Sequence, residues 1–131
     1  MKVALITGAA RGIGAATAKE FAQAGYALAL LDLDGDEVRR TGKKLEETGA
    51  EVLTLETDLS SLEQIEKAVA QTAERWGRID ALINNAATRE LETIREITPK
   101  NWQRAIDVNL TAPAFLTKWC APYMKTHGGV I

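Results

Sequence analysis

A glycine-rich segment close to the start of the chain, residues 8–14, limits the possible fold more than any other feature. It follows a short apolar run at residues 3–6 and precedes a run of helix-forming residues. Gly8 is suited to the positive φ angle of a tight turn that leaves a strand. Gly12 leaves room for a ligand at the helix N-terminus, and Gly14 lets the helix pack closely on the strand. The segment therefore predicts a strand, a turn and a helix in succession.

This strand–turn–helix unit is typical of sites that bind a pyrophosphate. Unpaired N–H groups and roughly half a unit of positive charge face a ligand at a helix N-terminus. Glycines alone would also fit a tight turn without any ligand. The predicted helix at residues 13–24 is closed by Gly25 and is followed by an almost wholly apolar run at residues 27–31. A strand in that place completes a βαβ unit, which favours the binding of a dinucleotide.

Strand-like and helix-like segments alternate along the rest of the chain. Short apolar runs predict strands, and longer segments with apolar residues three or four apart predict helices. The order predicts an α/β fold of the three-layer, Rossmann type, in which a doubly wound parallel sheet has helices on both faces. We expect one domain over residues 1–131, truncated after the fourth strand. The elements predicted after the second strand are a helix at residues 36–48, a strand at 52–55, a helix from Ser60 or Ser61 to Gly77, a strand at 81–83, a helix at 98–126 and the start of a strand at 130–131.

Composition argues against several classes of partner. The formal net charge is −2 and no basic stripe is present, so we expect no nucleic-acid partner. The longest apolar run, residues 26–31, is far shorter than the ~20 residues that span a bilayer, so we expect no membrane partner. Cys120 is the single cysteine; it has no partner for a disulfide and no metal-ligand spacing. These features favour a cytoplasmic protein without a metal.

An acidic residue at the end of the second predicted strand bears on the choice of cofactor. Asp32 lies 18 residues after Gly14, where a carboxylate accepts hydrogen bonds from the adenosine ribose. It would repel a 2′-phosphate, and the next residue is Leu33 rather than a basic one. NAD is therefore favoured over NADP. Two neighbours leave alternatives open, because Arg11 could reach a 2′-phosphate and Asp34 is a rival for the role of Asp32.

Polar residues also follow the third and fourth predicted strands. The carboxyl ends of parallel strands meet at one edge, so these residues converge on the same crevice. Asp58 is placed to bind the adenine amino group. Asn84, Asn85 and Ala86 offer amide and backbone groups beside the nucleotide. Asx residues also end strands and form turns without binding anything, and for Asp58 both interpretations stay open.

Asn109 is a polar residue in the predicted helix at 98–126. It lies seven residues after Trp102 and three after Ile106, so we expect it on the apolar, inward face. Pro113 follows four residues later and has no N–H, so the Asn109 carbonyl loses its partner within the helix. Taken alone, these features predict a proline kink with a solvated carbonyl.

Taken together, these residues resemble the short-chain dehydrogenase/reductase family over the whole chain. The resemblance implies an NAD(P)-dependent oxidoreductase that transfers hydride between a nicotinamide and an alcohol or carbonyl compound, usually as a homodimer or tetramer. It also implies that Asn109 is one of four catalytic residues, whose main-chain carbonyl holds a water in a proton relay. Ala87 departs from the family, which usually has glycine there. The residues that carry the resemblance are Thr7 to Gly14, Asp32, Asp58, Asn84-Asn85-Ala86 and Asp107-Val108-Asn109-Leu110.

The other three catalytic residues of the family have no counterpart among these 131 residues. They are a serine after the fifth strand and a tyrosine with a lysine four residues later, whereas Tyr123 is followed at that distance by His127. The chain thus resembles the N-terminal, cofactor-binding half of a family member, and we expect weak turnover from it alone. The predicted site residues are Asn109 as catalytic and Thr7, Gly8, Arg11, Gly12, Ile13, Gly14, Asp32, Leu33, Asp58, Leu59, Asn85, Ala86 and Ala87 as cofactor-binding.

Two other functions stay open beside the oxidoreductase. The chain could be a non-catalytic nucleotide-binding module, or a subunit-interaction module that pairs through an open sheet edge and an uncovered helix at 98–126. A bare fourth strand and an exposed apolar helix face both favour association. We therefore expect a homo-oligomer, with a small alcohol or carbonyl substrate if the site is complete.

Overall fold

Four parallel strands form a single sheet in the order β3-β2-β1-β4. The computed structural model describes residues 1–89 and 91–131. The strands are β1 Val3–Thr7, β2 Ala27–Asp32, β3 Val52–Glu56 and β4 Ala81–Ile83. The helices are α1 Gly12–Gln23, α2 Gly35–Glu46, α3 Leu62–Trp76, α4 Pro99–Ile106 and α5 Ala112–Cys120, with a π-helical turn at Asp107–Thr111 and a 3₁₀ turn at Ala121–Tyr123.

The sheet is the middle of three layers. All five residues of β1 are buried, because a parallel strand covered on both faces needs apolar side chains on both. Alternate residues of β1 serve the two faces: Leu5 packs with α3 and α5, and Ile6 packs with α1 and α2. The predicted three-layer, doubly wound parallel fold is therefore confirmed.

The strand register brings the carboxyl ends of the strands to one edge. Thr7 pairs with Leu31, and Asp32, the next residue along, pairs with Glu56. On the other side of β1, Ile6 pairs with Ile83. The loops that follow all four strands consequently begin side by side, as the sequence analysis expected.

The helix predicted over residues 98–126 is continuous from Pro99 to Tyr123, but it is not α-helical throughout. The π-helical turn separates α4 from α5, and within it the N–H of Ala112 donates to the carbonyl of Asp107, five residues earlier. Pro113 explains the change, because it has no N–H and its ring crowds the carbonyl four residues before it. Widening of the hydrogen-bond ladder before a proline relieves that conflict.

Two smaller predictions need correction. Trp102 was expected on the apolar face of its helix, but it is 57% exposed, and α4 buries none of its residues. The expected start of a strand at 130–131 is a single bridge between Val130 and Ala81, so the start of β4 is not a bare edge.

In the part of the chain that the structure describes, no helix has the length and apolar character needed to cross a membrane.

Candidate functional site

A cleft of about 380 Å³ opens at the carboxyl edge of the sheet. Eight of the predicted site residues line it: Gly8, Asp32, Leu33, Asp58, Leu59, Asn85, Ala86 and Ala87. Thr7, Arg11, Gly12, Ile13, Gly14 and Asn109 do not. The structure thus brings the ends of β1 to β4 together around one space.

The glycine loop has the backbone that its sequence predicts. Gly8 and Gly12 have φ angles of 64° and 58°, which lie in the left-handed region that favours glycine. A Cβ at Gly12 would meet nothing within 4 Å, so its surroundings are open to a ligand. A Cβ at Gly14 would overlap the carbonyl oxygen of Gly8. The close approach at Gly14 is therefore to the turn itself, and not to the strand as predicted.

Among the residues that the structure describes, no side chain caps the N-terminus of α1. Its N-cap is Arg11, which makes no side-chain capping hydrogen bond, and the first turn contains no acidic residue. By contrast Asp34, Ser61 and Thr98 cap α2, α3 and α4 with side-chain oxygens. Uncapped N–H groups at the positive end of a helix fit an anion such as a pyrophosphate. Together with the open space at Gly12, they match the predicted phosphate site.

Thr7 and Asn85 shape the site from inside the protein. The Thr7 hydroxyl accepts hydrogen bonds from the N–H groups of Asn85 and Ala86, at 3.1 and 3.0 Å, and donates to the Ile83 carbonyl. The Asn85 amide donates to the carbonyls of Thr7 and Gly8. Thr7 is 1% exposed and its hydroxyl positions the segment after β4; its role as a cofactor contact stays a prediction.

Asp32 joins the glycine loop to the segment after β2. One carboxylate oxygen accepts from the N–H of Ala10 at 3.0 Å, and the other accepts from the N–H of Asp34 at 2.9 Å. A carboxylate has about four acceptor positions, so two remain for a ligand. The half-buried side chain lines the cleft and is held in a fixed orientation.

Asp34, the alternative to Asp32 as the ribose-binding carboxylate, forms its contacts within the protein and outside the cleft. It caps α2, and the N–H of Glu37 is the main cause that lowers the pKa of its carboxyl. It also forms an ion pair with Arg11. Asp34 lies outside the cleft lining, so Asp32 is the better placed of the two carboxylates. The same ion pair gives the Arg11 guanidinium a partner within the protein.

Asp58 is an anionic acceptor at the end of β3. Hydrogen bonds from the hydroxyl and N–H of Ser60 lower the pKa of its carboxyl, and the charge of Arg104 contributes further. The N–H of Asp58 donates to the Gln64 side chain, and the hydroxyl of Ser61 caps α3. Asp58 therefore lines the cleft with a fixed, ionised carboxylate.

Asn109 is exposed, contrary to its predicted place on a buried helix face. The wider π-helical turn rotates the residues before Pro113, so Val108 takes the buried position. The Asn109 side chain instead clamps the segment after β4. Its amide oxygen accepts from the N–H of Thr88 at 2.8 Å, and its nitrogen donates to the Thr88 carbonyl at 2.9 Å.

Four lining residues were missed by the sequence predictions: Thr57, Thr88, Arg104 and Val108. For two of them a signal exists in the sequence. Arg104 and Val108 are four residues apart, a spacing that places side chains on one face of a helix, and Val108 directly precedes Asn109. Cys120 lies away from the cleft in the core, where burial raises the pKa of its thiol to about 12.

These features define a class of protein. A doubly wound parallel sheet, an uncapped helix N-terminus after the first strand and a carboxylate after the second form a Rossmann-type nucleotide-binding fold. The sequence model of the short chain dehydrogenases matches residues 2–131, and the chain belongs to this family.

Relatives and solved structures agree with that assignment. An uncharacterized oxidoreductase of Thermotoga maritima is 37% identical over 131 residues, which are 99% of this chain and 51% of that protein. A metagenomic short-chain oxidoreductase, solved with NADP, superposes with a TM-score of 0.93 at 32% identity, over 98% of this chain and 59% of that one. L-Sorbose reductase from Gluconobacter frateurii, solved with NADPH and L-sorbose, gives 0.94 at 32% identity, over 98% and 50%. The chain spans about half the length of the curated relatives it matches.

Proposed function

We propose that this chain forms the cofactor-binding half of an NAD-dependent oxidoreductase that acts on a small alcohol or carbonyl compound. One observation carries the proposal: the uncapped N-terminus of α1 lies beside a cleft that Asp32 and Asp58 line. When bound, a nicotinamide cofactor supplies the hydride chemistry, and the protein supplies placement and proton transfer.

Each part of the cleft has a matching role in this proposal. The backbone N–H groups near Gly12 hold the pyrophosphate. Asp32 accepts from the ribose hydroxyls, beside Leu33, and Asp58 accepts from the adenine amino group, beside Leu59. The other residues proposed to contact or frame the cofactor are Thr7, Gly8, Arg11, Ile13, Gly14, Asn85, Ala86 and Ala87.

The proposed catalytic contribution of the chain comes from the main-chain carbonyl of Asn109. Pro113 cannot donate to it, and the side chain of Asn109 fixes this turn to Thr88, which lines the cleft. A carbonyl that lacks its α-helical donor can accept a hydrogen bond from a water in a proton relay. The role therefore rests on the backbone, while the side chain sets its position.

The choice of NAD over NADP rests on charge. Asp32 and Leu33 line the cleft where a 2′-phosphate would need a cation, and the nearby Arg11 is paired with Asp34. NADP is the alternative, because the two solved structures described above hold NADP or NADPH.

Asp32→Ala is expected to weaken NAD binding by about 1–3 kcal/mol, because the ribose hydroxyls lose their acceptor. Isothermal titration with NAD and NADP measures the change. NADP should lose less affinity than NAD, since removal of the carboxylate also removes a repulsion. Asp36→Ala, which removes an exposed acid nearby in α2, serves as the matched control. Tighter binding of NADP than of NAD by the unmodified chain would contradict the role given to Asp32.

An exposed apolar surface supports a second role in subunit association. It consists of Leu91, Ile94, Ile97, Trp102 and Leu110, all of which are exposed. Large apolar side chains left exposed within one stretch of the sequence, as these are, fit an interaction site. We propose a homo-oligomer that buries this surface; the acidic net charge and the unpaired Cys120 fit a cytoplasmic location.

Sedimentation velocity is expected to show an oligomer of the unmodified chain that Trp102→Glu converts towards the monomer, because a charge at an apolar contact is unfavourable. Leu62→Glu introduces the same charge at another exposed apolar residue, and should leave the sedimentation coefficient unchanged. A monomer at every concentration of the unmodified chain would contradict this role.

A further inference from the structure

Arg104 is a lining residue of the cleft to which the proposed function gives no role. It lies in the last turn of α4, four residues before Val108, which also lines the cleft. Its side chain is half-buried, although α4 has no buried residue. α4 therefore contributes one long, planar, cationic side chain to the cleft.

The charge around Arg104 is mainly negative. Among the described lining residues Asp32 and Asp58 are acidic, and Arg104 alone is basic. Arg104 lies close enough to Asp58 to add to the effect of the two Ser60 hydrogen bonds on the Asp58 carboxyl. Within residues 1–89 and 91–131, Arg104 forms no salt bridge with a carboxylate. No carboxylate of the described residues therefore holds the guanidinium, and Arg104 lines the same cleft as Asp58.

We propose that the guanidinium of Arg104 packs on the face of the adenine ring of the bound dinucleotide, an inference that rests on the proposed function. A guanidinium is planar and stacks on aromatic rings, and every base offers a π-face. Asp58 would accept a hydrogen bond from the amino group at the edge of the same base. A carboxylate at the edge and a cation on the face recognise different parts of adenine and do not compete.

The inference is tested with two halves of the cofactor, AMP and nicotinamide mononucleotide, each titrated calorimetrically against the full chain. Both probes carry a phosphate, but only AMP carries adenine. Arg104→Met is expected to weaken AMP binding about 3- to 30-fold and to leave the affinity for nicotinamide mononucleotide unchanged. Arg104→Lys keeps the charge without the planar group, and should show most of the same loss.

The control is Lys100→Met, which removes the same charge from an exposed position of α4 and should leave AMP binding unchanged. Equal losses for both probes, or full recovery in Arg104→Lys, would indicate attraction by charge alone and overturn the stacking. Unchanged AMP affinity in Arg104→Met would overturn it as well, while NAD binding by the unmodified chain would still support the proposed function. If the unmodified chain binds neither AMP nor NAD, the proposed function fails and the inference with it.

Discussion

Gly14→Ala is expected to lower the free energy of unfolding by about 3 kcal/mol and to weaken NAD binding by more than about 30-fold. The added Cβ would overlap the carbonyl of Gly8 and crowd the Asn85 amide. Neither neighbour can yield easily, because the first is backbone and the second is held by two hydrogen bonds. The N-terminus of α1 would then move away from the turn that places the phosphate site.

Urea unfolding and NAD titration measure the two effects separately. Gly35→Ala is the matched control, since Gly35 also begins a helix, and a Cβ there would meet side-chain atoms of Glu56 and Arg39 rather than backbone. It should leave stability within about 1 kcal/mol, because alanine also has the higher helix propensity. Wild-type stability of Gly14→Ala would show that the turn relaxes more easily than its packing indicates.

Asp80→Ala is expected to lower the free energy of unfolding by about 3 kcal/mol. Asp80 is 8% exposed, and its carboxylate accepts from the N–H of Val3 at 2.8 Å and from Nε of Arg78 at 2.9 Å. Alanine would leave a buried N–H without an acceptor and a partly buried cation without its counter-ion. Urea unfolding measures the loss. Asp36→Ala removes an exposed acid and should change stability by less than about 0.5 kcal/mol.

The Asp80 carboxylate also makes the free energy of unfolding depend on pH, and it is expected to stabilise the fold less in acid. The hydrogen bonds from Arg78, followed by that from Val3, lower the pKa of Asp80 below its ordinary value of 3.8, against an opposing effect of burial. A group whose pKa is lower in the folded state stabilises the fold above its unfolded pKa. That contribution is lost as the pH falls through the folded pKa. Between neutral pH and strong acid, the wild type should therefore lose more stability than Asp80→Ala does; parallel curves would contradict this.

The sequence predicted the strands and the glycine turn after β1 well, because their determinants are local. The buried runs that became β1 and β2 can be read directly from their apolar residues. The φ angles of Gly8 and Gly12 follow from the turn that joins a strand to a helix. The convergence of Asp32 and Asp58 follows from the geometry of any parallel sheet.

The features that the sequence did not predict arise where distant residues decide the outcome. The partners of the Thr7 hydroxyl lie more than 70 residues away in the sequence. The residues around Thr7 therefore give no indication of the hydrogen bonds that its side chain forms. The side of the helix on which Asn109 lies depends on the π-helical turn that precedes Pro113. A prediction that assumes 3.6 residues per turn throughout places Asn109 on the wrong side. Arg104 lines the cleft together with Asp32 and Asp58 because of where the fold places α4, which depends on residues far apart in the sequence.

The clamp between Asn109 and Thr88 ties two functions to one pair of hydrogen bonds. Thr88 belongs to the wall of the cleft, while Asn109 belongs to the turn that contains the proposed catalytic carbonyl. Because the two hydrogen bonds join the wall to this turn, we expect a ligand that displaces the wall to displace the carbonyl as well. Occupancy of the nucleotide cleft and alignment of the proposed proton path would then depend on each other.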